Sequence, residues 1–316
     1  NGSGSDTDTG YDIDTDTGAG DTDTGETDTD TGVEPPGSIT DGFLWVDGNR
    51  LRDADGNLAR LTGINWFGFE TETMLPHGLW QRDHYGMLSQ VVELGFNSVR
   101  LPFSNAMLTA THAVDTVDAE LMGMSPLEAM DTIIATAGEL GLKVMLDNHS
   151  RAADGYLDEA LWYTDAVDED AWIADWVMLA GRYAGNETVV AMDLNNEPHG
   201  EATWGTGNSQ TDWNTAAERC AEAIHQVNPD VLIVVEGVQT VAGDSYWWGG
   251  NLAGVRSHPL TITLSEKLVY SAHEYGPEVY EQPWFYEADF PGNMTTIWDE
   301  HFGFVMQEEL GHVLIG

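Results

Sequence analysis

Glu197 closes the stretch DLNNEP (193–198), with two asparagines before it and Pro198 fixing the exit of the chain. His273 and Tyr275 stand two residues apart in VYSAHEY (269–275), a spacing that puts both on one face of a strand. Arg100, in NSVRLPFS (97–104), is a cation able to hold a second carboxylate ionised through charge-assisted hydrogen bonds. One carboxyl kept protonated as an acid and another kept charged as a nucleophile is the pairing that cleaves a sugar acetal. Other chemistries fit less well. His149, His199 and His273 lack H-E-x-x-H or any other ligand spacing, which argues against a metal hydrolase and against a cofactor. No serine occupies a G-x-S-x-G elbow. Cys220, the only cysteine, lies among alanines and Ile224 at helical spacing and reads as a buried structural thiol.

The elements that must position these residues follow from the apolar pattern. Seven strand-length runs occur, at 60–66, 97–102, 143–149, 189–198, 231–237, 267–275 and 312–316. Between them lie amphipathic helical stretches. SPLEAMDTIIATAGELG carries Ser125 as N-cap, Pro126 at the first helical position, Glu128 completing a capping box and Gly141 as the stop. DHYGMLSQVVELG and DAWIADWVMLAGRYAG behave alike, with Trp172 and Trp176 on one packing face. Two Asp-Gly turns, at 47–48 and 55–56, predict a short hairpin ahead of the first run. Strand–helix alternation implies a parallel α/β sheet, either open or closed as a (β/α)8 TIM barrel. GINWFGFET, after the first run, has no dinucleotide fingerprint. Trp66, Arg100, His149, Glu197, Glu236, His273 and Tyr275 gather instead at the ends of many strands, as the active sites of barrels do.

Residues 1–38 differ in kind: an Asp/Thr/Gly-rich segment with almost nothing to bury, expected to be a disordered acidic linker ahead of a single domain over 39–316. DIDTDTG resembles a calcium loop but has Thr17 where that loop needs Gly. The formal charge is −43; residues 1–34 hold 11 acidic and no basic side chains, so −32 remains beyond them. Such an excess disfavours nucleic acid and anionic membranes as partners, and suits a solubilising or salt-adapted surface. No apolar stretch reaches membrane-spanning length.

GINWFGFET, HGLWQRD, NSVRLPFS, LDNHS, DLNNEP, VVEGV, YWWGGNLAGV and VYSAHEY together resemble the successive landmarks of glycoside hydrolase family 5, nearest its bacterial endo-β-1,4-glucanase (cellulase) branch. The resemblance spans 39–316 and implies a (β/α)8 barrel that hydrolyses cellulose or related β-glucans with retention. It implies Glu197 as acid/base, Asn196 on the sugar 2-hydroxyl, and Arg100 supporting the nucleophile. His149 would line the subsite beside the cleaved bond, and His273 and Tyr275 would steer the protons. The family's nucleophile follows a stretch like LIG, here 314–316. The expectation is therefore an incomplete barrel of seven strands, ending within the seventh one residue before the nucleophile, inactive as it stands. Indole rings bury the C–H faces of sugars, so Trp66 and Trp248, in loops after strands, are the expected substrate platforms. The implied partner is a β-glucan polysaccharide or oligosaccharide met by a secreted protein, monomeric when complete. A β-mannanase, or a carbohydrate-binding remnant without catalysis, is the alternative.

Overall fold

The computed structural model describes residues 33–35 and 39–316; the linker and calcium-loop expectations fall outside them. Seven parallel strands form one curled sheet. They are β1 (Gly63–Asn65), β2 (Ser98–Ser104), β3 (Lys143–Ser150), β4 (Val189–Asp193), β5 (Leu232–Glu236), β6 (Leu268–Ala272) and β7 (His312–Ile315). Spatial order equals sequence order, with every neighbouring pair parallel. That is the incomplete (β/α)8 barrel expected from the sequence. β1 and β7 are its edges, and residues of both line one cavity of about 290 Å³ that also takes in Arg100 and Asp193.

Helices carry the first four crossovers: α1 (His84–Glu93), α2 (Pro126–Glu139), α3 (Glu169–Arg182) and α4 (Trp213–His225). Their ends are the expected ones. Ser125 and Glu128 form the capping box of α2, and Asp83 and Asp168 accept first-turn N–H groups in α1 and α3. β4 and β5 are buried along their whole length, as strands covered on both faces must be. Trp172 and Trp176 pack on the sheet and both donate their indole N–H to the Leu194 carbonyl. Cys220 is fully buried on α4.

Two departures have local causes. The run at 189–198 is regular strand only to Asp193: Leu194 and Asn196 still donate to the carbonyls of Val234 and Asn148, and the chain turns at Glu197, whose φ is a left-handed 48°. The helix before β7 is not continuous: Met294–Trp298 and Phe304–Gln307 are joined by a π-helical turn, Asp299–Gly303.

The other end of the sheet is closed by the hairpin Trp45–Asp47/Arg50–Arg52. Leu44 and Leu51 pack there with Val190, Ala191, Leu232, Val234 and Val269. The chain's only two lysines fasten this plug. Lys143 Nζ donates to the carbonyls of Gly42 and Glu187, at 3.0 and 2.8 Å. Lys267 Nζ donates to those of Leu44 and Asp230, both at 2.8 Å, and burial lowers its pKa to about 8.

Candidate active site

The C-terminal ends of β2 to β6 bring the expected residues together around Arg100. Its guanidinium is 12% exposed and lies among three carboxylates. Nη1 reaches Asp147 Oδ2 at 2.9 Å, Nη2 reaches Asp193 Oδ2 at 2.9 Å, and Nη2 reaches Glu236 Oε1 at 3.1 Å. Asp147, Asp193 and Glu236 are at most 1% exposed. Among the described residues they are the one group of acids and histidines spaced for a metal ion, but the guanidinium already sits among them. Donors are outnumbered: Asp147 Oδ1 and Asp193 Oδ1 are buried with no partner. Burial and the neighbouring Glu236 hold Asp193 well above the usual carboxylate range. For Asp147, burial pushes upward, but Arg100 and His149 outweigh it and the value falls.

Above this layer stands Glu197. Its Oε1 accepts from His273 Nδ1 at 2.7 Å and from the Tyr275 hydroxyl at 2.6 Å. Its main-chain N–H donates to Glu236 Oε2 at 2.6 Å. His273 is 3% exposed, and its Nε2 lies 3.1 Å from Glu236 Oε1. Burial opposes charge on that imidazole, yet Glu236 and Glu197 raise its pKa to about 10. The ring thus lies between two carboxylates that favour its charged form. Its effect on Glu197 runs against the expectation of a protonated acid. Burial raises the Glu197 carboxyl, but the bonds from His273 and Tyr275 prevail and hold it below its ordinary value. A like charge nearby would be needed to push it up.

The remaining expected residues join the same face. Asn196 turns Oδ1 to Arg100 Nη2 at 3.1 Å, which leaves Nδ2 as the donor open to a ligand. His149 Nδ1 bonds Asp147 Oδ2 at 2.6 Å, so Arg100 and His149 share one acid. His149 also borders a groove of about 460 Å³, with Phe67, Glu70, Thr71, Glu72, Thr73, His77, Asp154 and Tyr156. Glu274, between His273 and Tyr275, turns away from the site and accepts from Trp247 Nε1 at 3.3 Å.

The two tryptophans fare differently. Trp248 is half-buried and stacks on His199, with ring centroids 3.7 Å apart and planes 4° from parallel. Trp66 is only 6% exposed, sits in the main apolar cluster and donates its indole N–H to the His77 carbonyl at 2.9 Å. The exposed rings of that region are Phe67 and Trp80, both in contact with His77. Sequence reasoning passed over Asp147 and Asp193. Period-two alternation offered a signal for Asp147, which precedes His149 by two residues within β3.

The family model Cellulase (glycosyl hydrolase family 5) matches residues 53–316. An endoglucanase of Paenibacillus polymyxa is 44% identical, over 87% of this chain and 70% of its own length. The major extracellular endoglucanase of Xanthomonas campestris is 42% identical, over 80% of this chain and 54% of its own. Among solved structures, an endocellulase of Pyrococcus horikoshii in complex with cellotetraose superposes with a TM-score of 0.82. It is 39% identical and covers 88% of this chain and 81% of that one. The chain thus spans 70% of the first relative and little more than half of the second.

Proposed function

Because the chain belongs to glycosyl hydrolase family 5, we propose that its site is that of a retaining endo-β-1,4-glucanase. One observation carries the reading: a half-buried carboxyl at a strand end, gripped by an imidazole and a phenol directly above a charged layer. A β-glucan chain would lie across the strand ends, resting on Trp248 and reaching the groove beside His149. Glu197 would protonate the leaving oxygen and then draw a proton from the incoming water. His273 and Tyr275 bind the same oxygen, Oε1, and so leave Oε2 to face the glycosidic bond. Asn196 Nδ2 would donate to the 2-hydroxyl, its amide oriented by Arg100.

Retention requires a second carboxylate about 5–5.5 Å from the first. Glu236 does not fit, being fully buried and bound to Arg100 and the Glu197 N–H. The reading puts the nucleophile on a segment following β7. Its negative charge would supply the repulsion that raises Glu197 into an acid. An insoluble polymer cannot cross a membrane, so an enzyme acting on it would work outside the cell.

The test is product analysis. With cellotetraose, the reading predicts that the enzyme releases new reducing ends as the β-anomer. Cleavage of β-mannan in preference to carboxymethylcellulose would move the assignment to a mannanase. Absence of any oligosaccharide binding would end it.

A further inference from the structure

The main chain of Glu197 is held as firmly as its carboxyl, and one of the groups holding it belongs to no expected catalytic set. Its φ of 48° is a conformation that residues other than glycine seldom keep without support. The N–H side is tied to Glu236 Oε2. The carbonyl side accepts from His199 Nδ1 at 2.7 Å. Pro198, between them, has no N–H to offer, so the tie comes from the side chain two residues on.

His199 is 7% exposed. Its own N–H donates to the Ala160 carbonyl at 3.1 Å, fixing its main chain to the loop after β3. The imidazole meets two constraints at right angles to each other. The hydrogen bond to Glu197 lies in the ring plane, and the Trp248 indole stacks against the ring face at 3.7 Å. Trp248 is close to Glu197 by a second route as well. A Cβ on the adjacent Gly249, whose φ is +68°, would stand 3.1 Å from Glu197 Cα.

We propose that His199 is a positioning residue that locks the Trp248 platform to the main chain of Glu197, so that one ring sets both where a sugar lies and where the acid/base carboxyl points. This rests on the reading of Glu197 as acid/base and Trp248 as platform. The direction of coupling follows from the geometry. A sugar pressed on the outer face of the indole loads the imidazole behind it, and the imidazole is bonded to the strained residue. Neither contact requires His199 to touch substrate.

Two substitutions separate the contacts. His199→Phe keeps a flat ring for Trp248 and removes the donor. His199→Asn keeps a donor near the position of Nδ1 and removes the ring. Both are made in the full chain, with thermal melts as the fold control. Two properties are read: the titration of the Glu197 carboxyl by 13C NMR, assigned with Glu197→Gln, and the dissociation constant for cellotetraose. In the Phe variant the Glu197 midpoint rises by about half a pH unit as its bonds to His273 and Tyr275 loosen, and affinity stays within about twofold. In the Asn variant the midpoint holds and affinity falls about fivefold, the worth of one aromatic pair. Equal effects of both substitutions on both properties, or no effect of either, would overturn the proposal. If the unsubstituted chain binds no cellotetraose, the carbohydrate reading fails, while the Glu197 titration still decides whether the tie exists.

Discussion

Replacing Arg100 with methionine keeps an unbranched apolar stem and removes the guanidinium that lies within 3.1 Å of Asp147, Asp193 and Glu236. All three acids are sealed from solvent, so none can regain hydration when the guanidinium goes. Breaking a buried ion pair by deleting one partner costs about 3–5 kcal/mol, and three acids lose a partner at once, although Asp147 keeps His149 and Glu236 keeps His273. The loss is limited because burial and the neighbouring Glu236 already oppose ionisation of Asp193. We therefore expect Arg100→Met to be less stable by about 4 kcal/mol at pH 7. The pH dependence has a definite sign. Asp147 is depressed in the fold, so its contribution is present above its unfolded pKa and disappears as pH falls through the folded value. Asp193 is raised, so it works the other way, removing stability as pH climbs past its unfolded value. Without Arg100 burial weighs more heavily against both charges, and the deficit grows from pH 4 to pH 7. Urea unfolding followed by tryptophan fluorescence at pH 4, 5.5 and 7 measures it. A deficit under about 1 kcal/mol at pH 7, or one equal at pH 4 and pH 7, would refute the argument.

His273 gives a second pH signature. Its raised folded value, about 10, means its stabilisation is complete below the unfolded value and is lost as pH rises towards 10. The gap between the native protein and His273→Gln should be on the order of 3 kcal/mol at pH 6 and narrow steadily to pH 10; a gap that widens contradicts the assignment. Comparison against the variant isolates this from Lys267, whose lowered value acts with the opposite sign. Gly249→Ala should cost at least about 2 kcal/mol, seen as a lower melting temperature, because the new methyl meets both a left-handed backbone and the Glu236 carboxylate. Its Cβ would sit 2.3 Å from Glu236 Oε2. An unchanged melt would mean that the Trp248 loop is not seated against Glu197.

The strands and helices were legible because each apolar run is bounded by a cap or a glycine that ends it, as in Ser125–Gly141. The strand-end residues were legible for the same reason: once the strands are placed, Arg100, His149, Glu197, His273 and Tyr275 must face one end. What escaped was anything set by distance between strands. That Arg100 serves Asp147 and Asp193 before any nucleophile depends on the register of β2, β3 and β4. That Glu197 is held charged depends on an imidazole from β6. Trp66 and Trp248 both follow strands, yet one turns into the core and the other lies over His199, and local sequence does not distinguish the two. His199 drew notice only with His149 and His273, as a metal ligand that the spacing argued against; its role comes from the left-handed turn at Glu197, which no local pattern announced.

The most direct test of the central claim is cellotetraose cleavage by the enzyme, compared with its Glu197→Gln counterpart. Loss of a general acid/base should slow cleavage by at least about 100-fold, while the dissociation constant for cellotetraose stays within about twofold because the platform and the Arg100 layer are untouched. Cleavage at the unsubstituted rate would contradict the account, since no other carboxyl among the described residues is placed to take over from Glu197.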